Sequence, residues 1–212
     1  MYNVLAALTI GGAVLLLYTV ASARRAEEKP TPTRNWAEIQ GGHLLYGSDA
    51  APATMVVFSD FQCPACARMD EWLGRLAAES GNNISISVRN FPLTRIHHSA
   101  LAAAQAAECA GDEGYYRPYH HALFQHQAEL GAVRWDEILA GPAHPDGTLM
   151  ARCMADTTVM ARVMRDIAIG RQAGVEGTPT IILNGQRLPA ARSYRELRTA
   201  VLRSGQRARG GI

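Results

Sequence analysis

A chain of 212 residues with a formal net charge of +2 and 48% apolar side chains suits one domain with a sizeable core, or a domain carrying an insertion, at about 100–200 residues per domain. So small a charge does not call for nucleic acid, and Arg198, Arg203, Arg207 and Arg209 lack interleaved aromatics, so they read as a solvated helix face and a frayed tail. Four cysteines exclude a disulfide-dense scaffold and leave the compartment open.

No charged side chain precedes Arg24, and residues 4–20 are nearly all apolar, approaching the ~20 residues that span a bilayer. Residues 1–23 therefore read as a transmembrane anchor or signal segment. Ala21-Ser22-Ala23 offers the small residues of a cleavage site, but no Lys or Arg precedes the run and it exceeds a usual h-region, which favours an uncleaved anchor. Residues 24–34, with Pro30 and Pro32, read as a polar linker. The folded domain is expected over 35–205, with 206–212 a flexible tail.

Residues 55–58, Met-Val-Val-Phe, form a short β-branched and aromatic run, and residues 65–78 carry Met69, Leu73, Leu76 and Ala77 at helical spacing. Strand thus gives way to helix at Cys63-Pro64-Ala65-Cys66. Unpaired N–H groups and the positive end of the helix dipole favour an anion at that junction, so a thiol there loses its proton more readily than a free one of pKa about 8.5. Cys63 is the candidate nucleophile and Cys66, one turn on, the resolving thiol. Pro64 suits the first turn, where its missing N–H costs no hydrogen bond. A zinc site would need a second ligand pair, and Cys109 and Cys153 stand singly. Asp60 has two readings: cap or proton carrier for this site, or a turn residue satisfying backbone N–H groups.

Gly81-Asn82-Asn83 closes the helix, and residues 84–88 alternate apolar and polar, the pattern of a strand with one more polar face. A strand, crossover helix and second strand imply parallel pairing. Helical periodicity follows at 99–110, 115–130, 135–139, 148–154 and 157–173, read as a helical subdomain inserted over about 97–165. Residues 180–183 and 186–188 flank Asn184-Gly185, a two-residue hairpin turn. Ser193, with Glu196 three residues on, opens a last helix through Leu202. His97, His98, His120, His121 and His126 include no i, i+4 pair and adjacent helical residues point apart, so no metal site is expected.

With its Cys-x-x-Cys at a strand–helix junction and Gly177-Thr178-Pro179-Thr180 downstream, the chain resembles the DsbA-like thiol:disulfide oxidoreductases of the thioredoxin superfamily over about residues 44–202. Arg89-Asn90-Phe91-Pro92-Leu93 and the segment from Glu108 through Phe124 add to the likeness. The resemblance implies a thioredoxin-like α/β fold with an inserted helical subdomain. It implies that Pro179 is a cis-proline facing the cysteines and that Thr178 offers backbone groups to a bound peptide. Polypeptide substrates with cysteines, a membrane redox partner, an extracytoplasmic location and no organic cofactor are implied with it. Arg24 and Arg25 pull the other way on orientation, since the positive-inside rule keeps such a flank cytoplasmic. Similar sequences often carry cysteines where Cys109 and Cys153 stand, and the pair is either a structural disulfide or two buried thiols.

The expected chemistry is thiol–disulfide exchange through the Cys63–Cys66 disulfide, most readily as a dithiol oxidase. A reductase or isomerase on the same site, or a non-catalytic carrier or chaperone binding metal through the Cys pair, are the alternatives. Strong oxidants of the family carry Pro-His between the cysteines, and Ala65 supplies neither charge nor a side-chain donor, so a less oxidising site is expected.

Overall fold

The computed structural model describes residues 29–139 and 146–209. Expectations for residues 1–23, anchor or signal, lie outside these, and among the described residues no helix is long and apolar enough to cross a membrane.

In the compact unit that begins at Thr31, the elements in chain order are β1 (Thr31–Pro32), α1 (Trp36–Ile39), β2 (His43–Tyr46), β3 (Ala53–Ser59), α2 (Pro64–Ser80), β4 (Ile84–Asn90), α3 (Ala100–Asp112), α4 (Tyr116–Gln125), α5 (Gly147–Ala155), α6 (Thr157–Gln172), β5 (Thr180–Leu183), β6 (Gln186–Arg187) and α7 (Tyr194–Arg209). One sheet has the order β1-β6-β5-β3-β4-β2, with β3 and β4 parallel and its other pairs antiparallel. The linker expected over 24–34 gives way at Thr31 and Pro32, which pair with Arg187 and Gln186 at the sheet edge. That two-residue edge pairing leaves no periodic trace. At the other end α7 runs to Arg209, past the boundary drawn at 205.

Strand β3 has both edges paired, with β4 and β5, and both faces covered by helices: Met55 and Val57 pack with Cys66, Met69, Leu73 and Leu76 of α2, while Val56 and Phe58 pack with Ile39, Val163 and Ile167 of α1 and α6. Such a continuous apolar run is what a strand buried on both sides requires. Strand β4 alternates in sequence, yet all seven of its residues are buried. The more polar face expected there is not a solvated one, because it lies under α1 and α6. Arg89 donates to the carbonyl oxygens of Ile39, Glu38 and Gln40 at 2.9, 3.1 and 2.8 Å and pairs with Asp166 of α6.

Asn184 and Gly185 adopt φ of 49° and 76°, the left-handed pair that a tight hairpin turn demands. At α7 the Ser193 hydroxyl accepts from the Glu196 amide at 3.3 Å, but the returning Glu196 carboxylate accepts from Arg192, one residue earlier than in a capping box. Helices α3 to α6 stand between β4 and β5, and the insertion boundary at 165 falls inside α6.

Cys109 of α3 and Cys153 of α5 form a disulfide with Cα atoms 5.8 Å apart, which decides the open pairing. It closes a loop of 44 residues in sequence separation, for which chain entropy gives about 4 kcal/mol as an upper figure. Replacing both cysteines by Ala is expected to lower unfolding stability by about 2–4 kcal/mol in urea titration; an unchanged midpoint at unchanged slope would contradict this.

Candidate active site

Cys63 is the N-cap of α2, in extended conformation (φ −81°, ψ 118°), with Pro64 in the first turn. Its carbonyl accepts from the amides of Cys66 and Ala67 at 2.9 and 3.2 Å, and its own amide donates to Asp60 O at 3.1 Å. No side chain caps the helix, so the Cys63 sulfur itself stands where a capping anion would be stabilised. Cys63 is 8% and Cys66 1% exposed, and both are free thiols.

The two sulfurs are unequal. A hydrogen bond from Cys66, together with the amides of Cys66 and Ala65, outweighs burial and brings Cys63 down to about 5. Burial, and then the Cys63 sulfur beside it, push the Cys66 thiol well up. A pair so divided has one thiol ionised at neutral pH and one held as a proton-bearing reserve.

Across from the cysteines, the Thr178–Pro179 bond is cis, and Thr178 O lies 3.4 Å from Cys63 Sγ, accepting from it while the thiol is protonated. Thr178 Oγ1 is buried without a hydrogen-bond partner among the described residues. The loop is held by Thr180 Oγ1, which donates to Gly177 O at 2.7 Å.

Asp60 is fully buried and its carboxylate accepts from the amides of Gln62 and Leu93, each at 2.7 Å, and contacts His97 Nδ1 at 2.8 Å. It does not cap α2. It ties the turn before the cysteines to the segment after β4, and its contacts are to nitrogen rather than sulfur.

Gln127, in the short 3-10 turn Gln127–Glu129, donates through Nε2 to the carbonyls of Phe61 at 2.7 Å and Cys63 at 3.1 Å. The insertion thereby grips the backbone at the nucleophile, with no sequence signal beyond a polar residue in a helical segment. Asp70, His120 and His121 also come together, against the expectation that adjacent histidines diverge. His120 reaches Asp70 with Nε2 and His121 with Nδ1, so rings pointing different ways meet one carboxylate.

A family model described as thioredoxin matches residues 40–202. The chain is 34% identical over 157 residues to the Na(+)/H(+) antiporter NhaA 1 of Salinispora arenicola, an overlap of 73% of this chain and 24% of the antiporter. It therefore spans about a quarter of the length of that curated relative. Among solved structures, the thiol-disulfide exchange protein α-DsbA2 of Wolbachia pipientis superposes with a TM-score of 0.68 at 20% identity, over 80% of this chain and 91% of that one. Oxidised BdbD of Bacillus subtilis gives 0.69 at 18% identity, over 84% and 97%.

Proposed function

The chain belongs to the thioredoxin family and has the fold of its DsbA-like members, and from that premise we propose that it is a protein thiol:disulfide oxidoreductase working through Cys63 and Cys66 as a dithiol oxidase. The observation that carries this reading is the inequality of the two thiols at the head of α2.

Stabilising the Cys63 thiolate stabilises the reduced enzyme, which makes the disulfide the stronger oxidant. A substrate thiolate attacks Cys63 Sγ of the disulfide, a mixed disulfide forms and Cys66 leaves as thiolate, soon protonated because burial disfavours its charge. A second substrate thiol, losing its proton to solvent, then displaces Cys63. The substrate leaves oxidised by two electrons and the Cys63–Cys66 pair is left reduced. A membrane redox partner carrying a disulfide returns it to the oxidised state. Thr178, with its carbonyl already at Cys63, and Pro179 shape the site for an extended peptide, here a cysteine-bearing polypeptide outside the cytoplasm.

Thiolate absorbance of the reduced protein tests the carrying observation. The expected midpoint for Cys63 is near pH 5, absent in Cys63→Ser; one near the free-thiol value of about 8.5 would remove the basis for an oxidase. The folded pKa lies below the unfolded one, so the reduced form has its full extra stability above about pH 8.5 and loses it as pH falls through about 5. The oxidised form does not titrate there. Stability of reduced relative to oxidised protein is therefore expected to decline between those limits on acidification.

Ala65→His should add a cation and a donor at the helix head. With about 0.5–2 kcal/mol for such a charge, the potential should rise by about 10–40 mV, and an unchanged potential would show that the dipeptide does not set it.

A further inference from the structure

We propose that Asp70, His120 and His121 form a divalent transition-metal site, of zinc type, that clamps the cysteine-bearing helix α2 to α4 of the insertion. His120 Nε2 lies 3.1 Å from Asp70 Oδ1 and His121 Nδ1 lies 2.7 Å from Asp70 Oδ2. All three ligand atoms lie within 4.8 Å of one another. Zinc binds imidazole nitrogen and carboxylate oxygen at roughly 2.0–2.2 Å, which puts neighbouring tetrahedral ligands about 3.4 Å apart. The His120 and His121 contacts to the carboxylate thus lie about 0.3 and 0.7 Å inside that spacing, and the three ligand atoms stay within 4.8 Å of one another. Two imidazoles with one carboxylate select a borderline transition cation over calcium or magnesium, which prefer oxygen alone.

Three further observations mark the place as built. His120 is 1% exposed and packs edge-on against the rings of Phe61 and Phe124, and its Nδ1 has no hydrogen-bond partner among the described residues. Its one polar anchor is the Asp70 contact, so a cation on Nε2 would offset the desolvation of a ring otherwise poorly partnered. On the other histidine, Nε2 meets Tyr46 Oη at 3.0 Å, the second contact that fixes the tautomer of a ligating imidazole. Tyr46 reaches that point because residue 74, one turn past Asp70 in α2, is glycine: a Cβ there would stand 3.1 Å from Tyr46 Oη. Glycine inside a helix costs about 1 kcal/mol relative to alanine, and here it opens the approach of the phenol.

The side facing water is supplied by His121 and Asp70, whose side chains are 30% and 11% exposed. A water molecule there completes four-coordination with three protein ligands. The site is separate from the cysteines, and the inference stands whether or not the oxidase reading does.

The test is titration of the full chain with zinc by calorimetry, with Cys63 and Cys66 held as their disulfide so that no thiolate competes, followed by cobalt(II) absorption. One equivalent of zinc and a visible tetrahedral cobalt band are expected. Asp70→Asn and His121→Gln should each weaken zinc by at least about a hundredfold, and Tyr46→Phe by about tenfold, within the range for lost outer partners. His126→Gln, an exposed pair with Glu129, should change nothing. Should Asp70→Asn not fold, His121→Gln, altering a partly exposed side chain, carries the test. Absence of stoichiometric zinc binding by the oxidised protein, or binding undiminished in His121→Gln, overturns the proposal.

Discussion

Cys66→Ser will accumulate as a mixed disulfide with a cysteine-bearing polypeptide, joined at Cys63, while Cys63→Ser will form no such adduct and will lose dithiol oxidation by roughly a thousandfold or more. The asymmetry follows from the site. Cys63 Sγ stands at the helix head with stabilised negative charge and faces the Thr178 carbonyl. Cys66 is enclosed beneath it, and burial raises the cost of its thiolate. Removing the buried thiol leaves the nucleophile able to exchange but unable to release its partner through Cys66; removing the outer one leaves a thiol that substrate does not reach. Non-reducing electrophoresis of the two reduced variants with an unfolded polypeptide whose cysteine is carried as a mixed disulfide with thionitrobenzoate, the group that Cys63 displaces as its thiolate, distinguishes the adducts by mass. Equal trapping by both variants, or trapping through Cys66 alone, would show that the roles are reversed or shared.

Asp166→Ala will destabilise the fold by about 3–5 kcal/mol, the usual cost of leaving a buried charge without its partner. Arg89 and Asp166 have side chains 9% exposed each. Asp166 also accepts from the Asn90 amide at 2.9 Å, so two groups depend on one carboxylate. Burial nevertheless pushes the Asp166 carboxyl up against the pull of that amide and of Arg89. A carboxyl with a raised folded pKa costs stability when ionised: its contribution is most favourable below the unfolded value of about 3.9 and is lost as pH rises through the folded one. The pair is thus a specificity device, fixing α6 and α1 on β4, more than a source of net stability. Asp166→Asn, which keeps an acceptor for the Asn90 amide, should lose less than the alanine variant, and Arg89→Met with Asp166→Leu should recover part of the loss. Against a total of about 5–15 kcal/mol for a domain, the alanine variant should be visibly less stable in chemical denaturation; a change under about 1 kcal/mol would mean that water or another group satisfies Arg89.

Local rules suffice for the cysteine pair and its setting. A β-branched run, a proline and apolar residues at helical spacing put Cys63 at the end of a strand and the start of a helix without reference to the rest of the chain. The Asn184-Gly185 turn is equally local, because only two residues need the unusual φ. Contacts between distant segments were not legible. Gln127 meets Cys63 across 64 positions, and Asp70 meets His120 across 50. Neither residue has a motif around it, and the convergence of His120 and His121 depends on using different ring nitrogens, which spacing does not specify. Strand β4 hides its surroundings for a related reason: Ser85, Ser87 and Arg89 look like a solvated face, and only the covering helices, with an aspartate 77 positions away, make burial of that arginine tolerable.

The central claim, that the fold biases the Cys63–Cys66 pair toward oxidising its substrates, is tested most directly by its reduction potential. The protein, with Cys109 and Cys153 left in their disulfide, would be equilibrated in glutathione buffers and the Cys63–Cys66 pair alone assayed. A Cys63 thiol at about 5 falls between the thioredoxin and DsbA nucleophiles, about 7 and 3.5. The expected potential accordingly lies between their values of about −270 and −120 mV, above about −230 mV. A potential at or below about −270 mV would contradict the oxidase account and make the protein a reductase, and failure to form a Cys63–Cys66 disulfide in any buffer would contradict redox function altogether.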